Sequence, residues 1–271
     1  MNIFAVMRSL SVLVLLLVFS MSLAAFWSIY EYRFVAGSSE NLTTVYAFLL
    51  AMGSGIAVSL FCLFLTRGKS GRLNSKEALM LVALAWFIGA FFGALPFYYW
   101  SNFQGPGVTV EFSNFINCYF EAMSGLTTTG ASILTDIPKY PKGLLLWRAN
   151  IQWLGGLGIV VLFVAVLPWI ASGSKKKIYR AEATGISSEP ESAKIQASAR
   201  NLYGIYTFFT VAQLLLMKFF DQSLGWFEAV TYAFSTSATA GYSVHGQSAG
   251  SLSPANQWVI ICFMFIAGVN Y

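Results

Sequence analysis

The sequence predicts an all-α polytopic membrane protein built from repeated span–re-entrant loop–span units. Three observations carry that prediction. The 271-residue chain is 57% hydrophobic and only 10% charged, with a mean hydropathy of +0.65, whereas charged residues make up roughly a quarter of a soluble chain. Its long uncharged segments match the ~20 residues a helix needs to cross a bilayer. Two further apolar stretches, residues 120–133 (FEAMSGLTTTGASI) and 227–244 (FEAVTYAFSTSATAGYSV), each run into hydroxyl residues around one glycine, Gly130 or Gly241. The alternating pattern of an outer-membrane strand is absent from the sequence.

Residues 9–30 carry no charge and follow Arg8. A cleaved leader ending at Ala24-Ala25 is the alternative, but the apolar run continues through Phe26, Trp27 and Ile29, so a first span is expected. Trp27, Tyr30 and Tyr32 suit the aromatic belt at its far end. Residues 42–66 form a second span, in which Gly53 and Gly55 would allow close helix contact. A basic loop (Arg67, Lys69, Arg72, Lys76) leads to a third span, residues 78–100, ending near Pro96 in the cluster Phe97, Tyr98, Tyr99 and Trp100.

The apolar stretch 112–126 is about 15 residues long and carries Glu121, too short to cross and suited to a re-entrant helix. Residues 144–170 are the fourth span. Its Gly155, Gly156 and Gly158 are expected to permit close packing, since no strand precedes them as a phosphate loop would require. The most polar stretch, 172–200, opens with Lys175, Lys176 and Lys177. A fifth span (202–220), a second re-entrant helix (225–234), a turn at Pro254 and the start of a sixth span (257–271) complete the chain. The units are therefore 1–77, two introductory helices; 78–171, a first pore unit; 172–200, a cytoplasmic linker; and 201–271, a second pore unit.

A Thr-Thr-Gly backbone at membrane depth is tolerated only when buried in protein or lining water. Unpaired carbonyls along a water-filled path replace an ion's hydration shell, and glycine permits the dihedrals that turn successive carbonyls one way. One such stretch alone reads equally well as a polar loop; two, each between apolar segments, favour a pore. Gly130 and Gly241 lie 111 residues apart, which sets the approximate repeat. With the amino terminus inside and each re-entrant element entering and leaving outside, most of the 16 Lys and Arg fall in cytoplasmic segments, as the positive-inside rule asks.

These residues resemble the TrkH-type subunits of the Trk/Ktr/HKT potassium transporters. The resemblance is carried by FEAMSGLTTTGASIL (120–134), QWLGGLGIVVLFVAVLP (152–168), IYRAE (178–182) and FSTSATAGYS (234–243). It implies potassium uptake across the cytoplasmic (inner) membrane through one pore lined by four filter loops. It also implies a cytoplasmic nucleotide-binding regulatory subunit and a homodimer. Carried over, the first filter is Thr128, Thr129, Gly130 and Ala131, and the second is Thr239, Ala240, Gly241 and Tyr242. Thr127, Ser235 and Thr236 would support them through their hydroxyls. This chain holds two of the expected four units, and its sixth span reaches only Tyr271. We therefore expect an amino-terminal portion that does not conduct alone, with pairing of two such chains as the alternative.

Glu121 and Glu228 are each expected near the start of a re-entrant helix, where a carboxylate interacts favourably with the helix dipole; a cation-concentrating field is the other reading, as it is for Asp136. Arg148 is expected to snorkel to the outer interface, with a pore-facing role as the alternative. The three lysines 175–177 would anchor the topology, dock a partner or bind anionic lipid. Cys62, Cys118 and Cys262 lie far apart, His245 has no partner at ligand spacing, and no GxSxG, Walker or HExxH motif occurs. We expect no enzyme, no nucleic-acid partner, no cofactor and no metal beyond potassium as cargo. The competing class is a secondary cation transporter with broken helices.

Overall fold

The computed structural model describes residues 3–35, 40–68, 75–105, 110–171 and 191–268. Among these, every regular element is helical. The long helices are α1 (Ile3–Phe34), α2 (Leu42–Leu65), α3 (Ser75–Asn102), α5 (Lys142–Ala171) and α6 (Glu191–Phe220). Of two 12-residue helices, α4 (Phe115–Leu126) sits between α3 and α5 and α7 (Trp226–Ser237) follows α6, and the 15-residue α8 (Pro254–Gly268) closes the described chain. At 1.5 Å per residue a 12-residue helix is about 18 Å long, well short of the ~30 Å hydrocarbon core. Large apolar side chains stay exposed along the long helices, such as Phe19, Phe64 and Phe208, and on α8 at Phe265.

The third helix does not end near Pro96; it runs through the proline to Asn102. A helix interior tolerates proline where tertiary packing holds the freed groups, and the packing here is dense. Phe97 is fully buried and stacks on Phe112 with centroids 4.7 Å apart, and Trp100 lies 5.5 Å from the Tyr140 ring. Those two aromatics therefore hold the loops around α4 rather than lining a lipid interface. Gly55 lets α2 approach Val18 of α1, whereas Gly53 faces open space.

The ends of the helices are tied together on one side. Lys142 at the start of α5 bonds Glu31 near the end of α1 at 3.0 Å, and the Gly143 N–H donates to Glu40, which precedes α2. Trp27 of α1 meets Phe227 of α7 with centroids 5.8 Å apart. The amino termini of α5 and α7 thus share one end of the bundle with the carboxyl end of α1. Deeper in, Asn150 of α5 donates to the Ser20 carbonyl of α1 at 3.1 Å. Ala24 and Ala25 lie inside α1 and are buried by its neighbours.

Candidate functional site

Each short helix stops in the same way. The Thr127 N–H donates to Met123 O at the end of α4, and Ala238 N–H to Phe234 O at the end of α7. Next, Thr128 N–H reaches Gly125 O and Thr239 N–H reaches Thr236 O; then Thr129 N–H reaches Ser124 O and Ala240 N–H reaches Ser235 O. Every one of these partners is 111 residues from its counterpart, the same separation as Ala131 and Tyr242. The two helices themselves obey it, since Phe115 and Trp226 open them and Leu126 and Ser237 close them.

The dihedrals repeat as well. Thr128 has φ 55° and Thr239 φ 52°, and Gly130 and Gly241 have φ 75° and 99°. A β-branched residue at positive φ is a true outlier, costing on the order of 1–3 kcal/mol, and such outliers gather at functional sites. With left-handed dihedrals at alternate residues, the N–H groups of residues 127–130 and 238–240 all turn back to the end of the helix before them. Thr129, Ala131, Thr239 and Gly241 are exposed, and Thr128, Gly130 and Ala240 are half-buried. Tyr242 is the exception, with 5% exposure.

The two turns touch. A Cβ at Gly130 would collide with the Ala240 carbonyl. The Tyr242 hydroxyl crosses to the first unit and donates to Glu121 O at 2.9 Å or Ala131 O at 3.2 Å. Ser124 also donates to Ala131 O, at 2.6 Å, so that carbonyl already has its partners. Of the expected supporting hydroxyls, Thr127 bonds Met123 O and Thr129, and Ser235 accepts from the Gly241 N–H at 3.0 Å. Thr236 takes part through its backbone carbonyl.

Under both turns lies α5. A Cβ at Gly155 would strike the Leu126 carbonyl, and one at Gly156 would lie 3.2 Å from Ala238. The glycine pair thus lets one helix pass beneath the ends of both short ones.

Two expectations about charge are corrected. Glu121 is not near a helix start. It is the seventh residue of α4, 0% exposed, and pairs with Arg148 at 2.8 Å. Arg148 does not snorkel outward; it is 1% exposed and turned inward. The shared Phe-Glu-Ala tripeptide misleads, because its copies lie out of register with the 111-residue repeat, and the true counterpart of Glu121 is Tyr232. Glu228, third in α7, does sit at a helix amino terminus. The hydroxyls of Ser124, Ser132, Tyr232 and Ser243 were missed by sequence reasoning; the 111-residue spacing, applied residue by residue, would have paired the serines. Asp136 is exposed beside the 3-10 turn Ile137–Lys139. Lys175, Lys176 and Lys177 lie outside the described residues.

A family model described as TrkH, a cation transport protein, matches residues 39–271. The Trk system potassium uptake protein TrkH of Salmonella typhimurium is 35% identical over 237 residues, 87% of this chain and 46% of that protein. Its Escherichia coli K12 namesake is 34% identical over the same lengths. The crystal structure of the potassium transporter TrkH from Vibrio parahaemolyticus matches with a TM-score of 0.78 at 27% identity, covering 100% of this chain and 50% of that one. The chain spans about half the length of the curated relatives it matches.

Proposed function

The chain belongs to the TrkH family of cation transport proteins, and from that premise we propose that it carries potassium across the cytoplasmic (inner) membrane as the translocating subunit of a Trk-type system. The observation that carries the reading is the pair of strained threonines, Thr128 and Thr239, each two residues past the end of a short helix and two residues before a left-handed glycine. Strain repeated at one place in two units calls for a common use, and backbone carbonyls that line a path can replace the water of a dehydrated cation. The ligands in this reading are the carbonyls of Thr128, Thr129 and Gly130 with those of Thr239, Ala240 and Gly241. Ala131 and Tyr242 close each set, Ala131 with its carbonyl held by Ser124 and Tyr242 with its side chain in the first unit. Two units supply half of a four-loop filter.

The unit boundaries, 1–77, 78–171, 172–200 and 201–271, belong to the same proposal. So do a cytoplasmic nucleotide-binding partner near the basic residues after α5, and a homodimer. The test is rubidium and sodium uptake in cells lacking their own potassium uptake. Gly130→Ser in the intact protein should lower the preference for potassium over sodium, because a side chain there meets the neighbouring filter turn. Unchanged relative uptake would remove Gly130 from the filter.

A further inference from the structure

We propose that Arg148, Glu121 and Tyr242 form a charge-neutral brace that fixes the two filter turns against each other and screens them from the arginine's charge. The proposal rests on reading those turns as a cation filter.

The guanidinium of Arg148 lies behind the outer ends of both turns. Its Nε donates to Glu121 Oε1 at 2.8 Å, one Nη donates to the Ser132 hydroxyl at 3.0 Å, and the other reaches the Ser243 carbonyl at 3.4 Å. Ser132 directly follows Ala131, and Ser243 directly follows Tyr242. The guanidinium face lies 4.2 Å from the Tyr242 ring centroid. Glu121 completes the set: its Oε1 also accepts from Ser132 at 2.9 Å, and its Oε2 from the Ile133 N–H at 3.0 Å. One cation therefore holds the outward limbs of two units, and one carboxylate holds the cation. Tyr242 locks the arrangement, because its ring covers Arg148 while its hydroxyl bonds the backbone of the first unit.

Stability alone does not require this pair. Buried ion pairs often replace well-packed apolar groups at no net gain, and the second unit makes the equivalent contact without charge. There Tyr232 bonds Ser243 Oγ at 2.9 Å, across the same 11-residue separation as Glu121 and Ser132. What the charged version adds is a fixed, planar, multi-armed donor that reaches both turns. It also brings a hazard, since a lone cation beside a cation filter repels its cargo through a medium of low polarity. Glu121 removes that hazard. Both are positioning residues; neither is taken to touch the ion.

The experiment uses the intact protein in cells lacking their own potassium uptake, at matched amounts in the membrane, with initial rates of rubidium and sodium entry measured against concentration. Glu121→Gln keeps an acceptor for Arg148 but leaves its charge uncompensated. It should raise the half-saturating rubidium concentration about tenfold, the scale of one unpaired charge at intermediate dielectric, with a smaller change in maximal rate. Adding Arg148→Gln should restore part of that affinity, because the repelling charge is gone, while the rubidium-over-sodium preference stays narrowed because the two turns lose their shared donor. Tyr242→Phe keeps the ring over Arg148 and loses the hydroxyl's bond to the first unit's backbone, so it should narrow the rubidium-over-sodium preference several-fold. Unchanged half-saturation in Glu121→Gln together with unchanged preference in Tyr242→Phe overturns the brace. A double variant no better than Glu121→Gln overturns the screening role. Should Glu121→Gln fail to reach the membrane, the double variant and Tyr242→Phe decide by the same readouts. If the unaltered protein takes up neither ion, the filter reading itself falls, and the two failures are told apart.

Discussion

At the residue scale, the carboxylate of Glu111 shows how the turn after α4 is held from one side. It lies just before α4, accepts from the Thr135 hydroxyl at 2.6 Å and is also bonded by the Tyr140 hydroxyl, on the limb that leaves the filter. Those bonds, that from Thr135 first, pull its pKa from the usual carboxylate value down to about 2. Because the folded value lies below the unfolded one, the stabilisation is complete above the ordinary carboxylate range. It is lost as pH falls from about 4.5 through about 2. Purified protein should therefore lose more melting temperature between about pH 5 and pH 3 than Glu111→Gln does. Glu111 is partly exposed, so screening holds the difference to on the order of 1–2 °C; parallel pH curves for the two proteins would refute the clamp. The positive φ of Gly130 and Gly241 was legible in the sequence, since glycine between hydroxyl residues signals an unusual turn. Neither the strained threonines nor the Glu121–Arg148 pair was legible. Nothing in threonine's propensities points to left-handed backbone, and an ion pair 27 residues apart, on two different helices, has no local periodicity.

At the element scale, the short helices were readable because their length disagrees with the bilayer, which is a physical mismatch rather than a motif. Their ends were less so. The second helix was expected over residues 225–234 and runs Trp226–Ser237. Ser235 and Thr236, expected to support the turn through their hydroxyls, lie inside the helix, and the backbone leaves it only after Ser237, with the left-handed dihedral at Thr239. The glycines of α5 were read as packing residues, and the structure gives the reason at Gly155. Its missing side chain is where the Leu126 carbonyl lies, and that carbonyl belongs to the last residue of α4. Gly155→Ala must push α4 and the turn beyond it, an overpacking cost of about 1–3 kcal/mol. It should lower both melting temperature and rubidium uptake. Gly158→Ala is the matched control, because a Cβ there first meets Trp86 at 3.8 Å. Equal effects from the two would show that helix propensity, not the contact with Leu126, governs this stretch.

At the scale of the whole molecule, two independent lines give the same orientation. The carboxyl end of α1 and the amino termini of α5 and α7 are joined at one end by Lys142 with Glu31, Gly143 with Glu40, and Trp27 with Phe227. In the sequence, Arg8 lies near the start of α1, and Arg67, Lys69, Arg72 and Lys76 fall between the end of α2 and the first turn of α3, against Arg33 and Lys142 at the tied end. Positively charged segments remain on the cytoplasmic side during insertion, which predicts that the tied end faces outward. A full crossing by α4 would reverse the side of everything after it, separating Lys142 from Glu31 by the thickness of the membrane; their 3.0 Å contact requires the re-entrant path. The test places single cysteines in a protein whose Cys62, Cys118 and Cys262 have been replaced, and labels intact cells with an impermeant maleimide. Asp136→Cys, exposed on the limb beyond the first filter turn, should label without permeabilisation, and Arg67→Cys, exposed just past the end of α2, only with it. Labelling of Arg67→Cys from outside would invert the assignment. Labelling of both from the same side would mean that an odd number of crossings does not separate them, which would break the alternation of α1 through α5 and the re-entrant assignment of α4 with it.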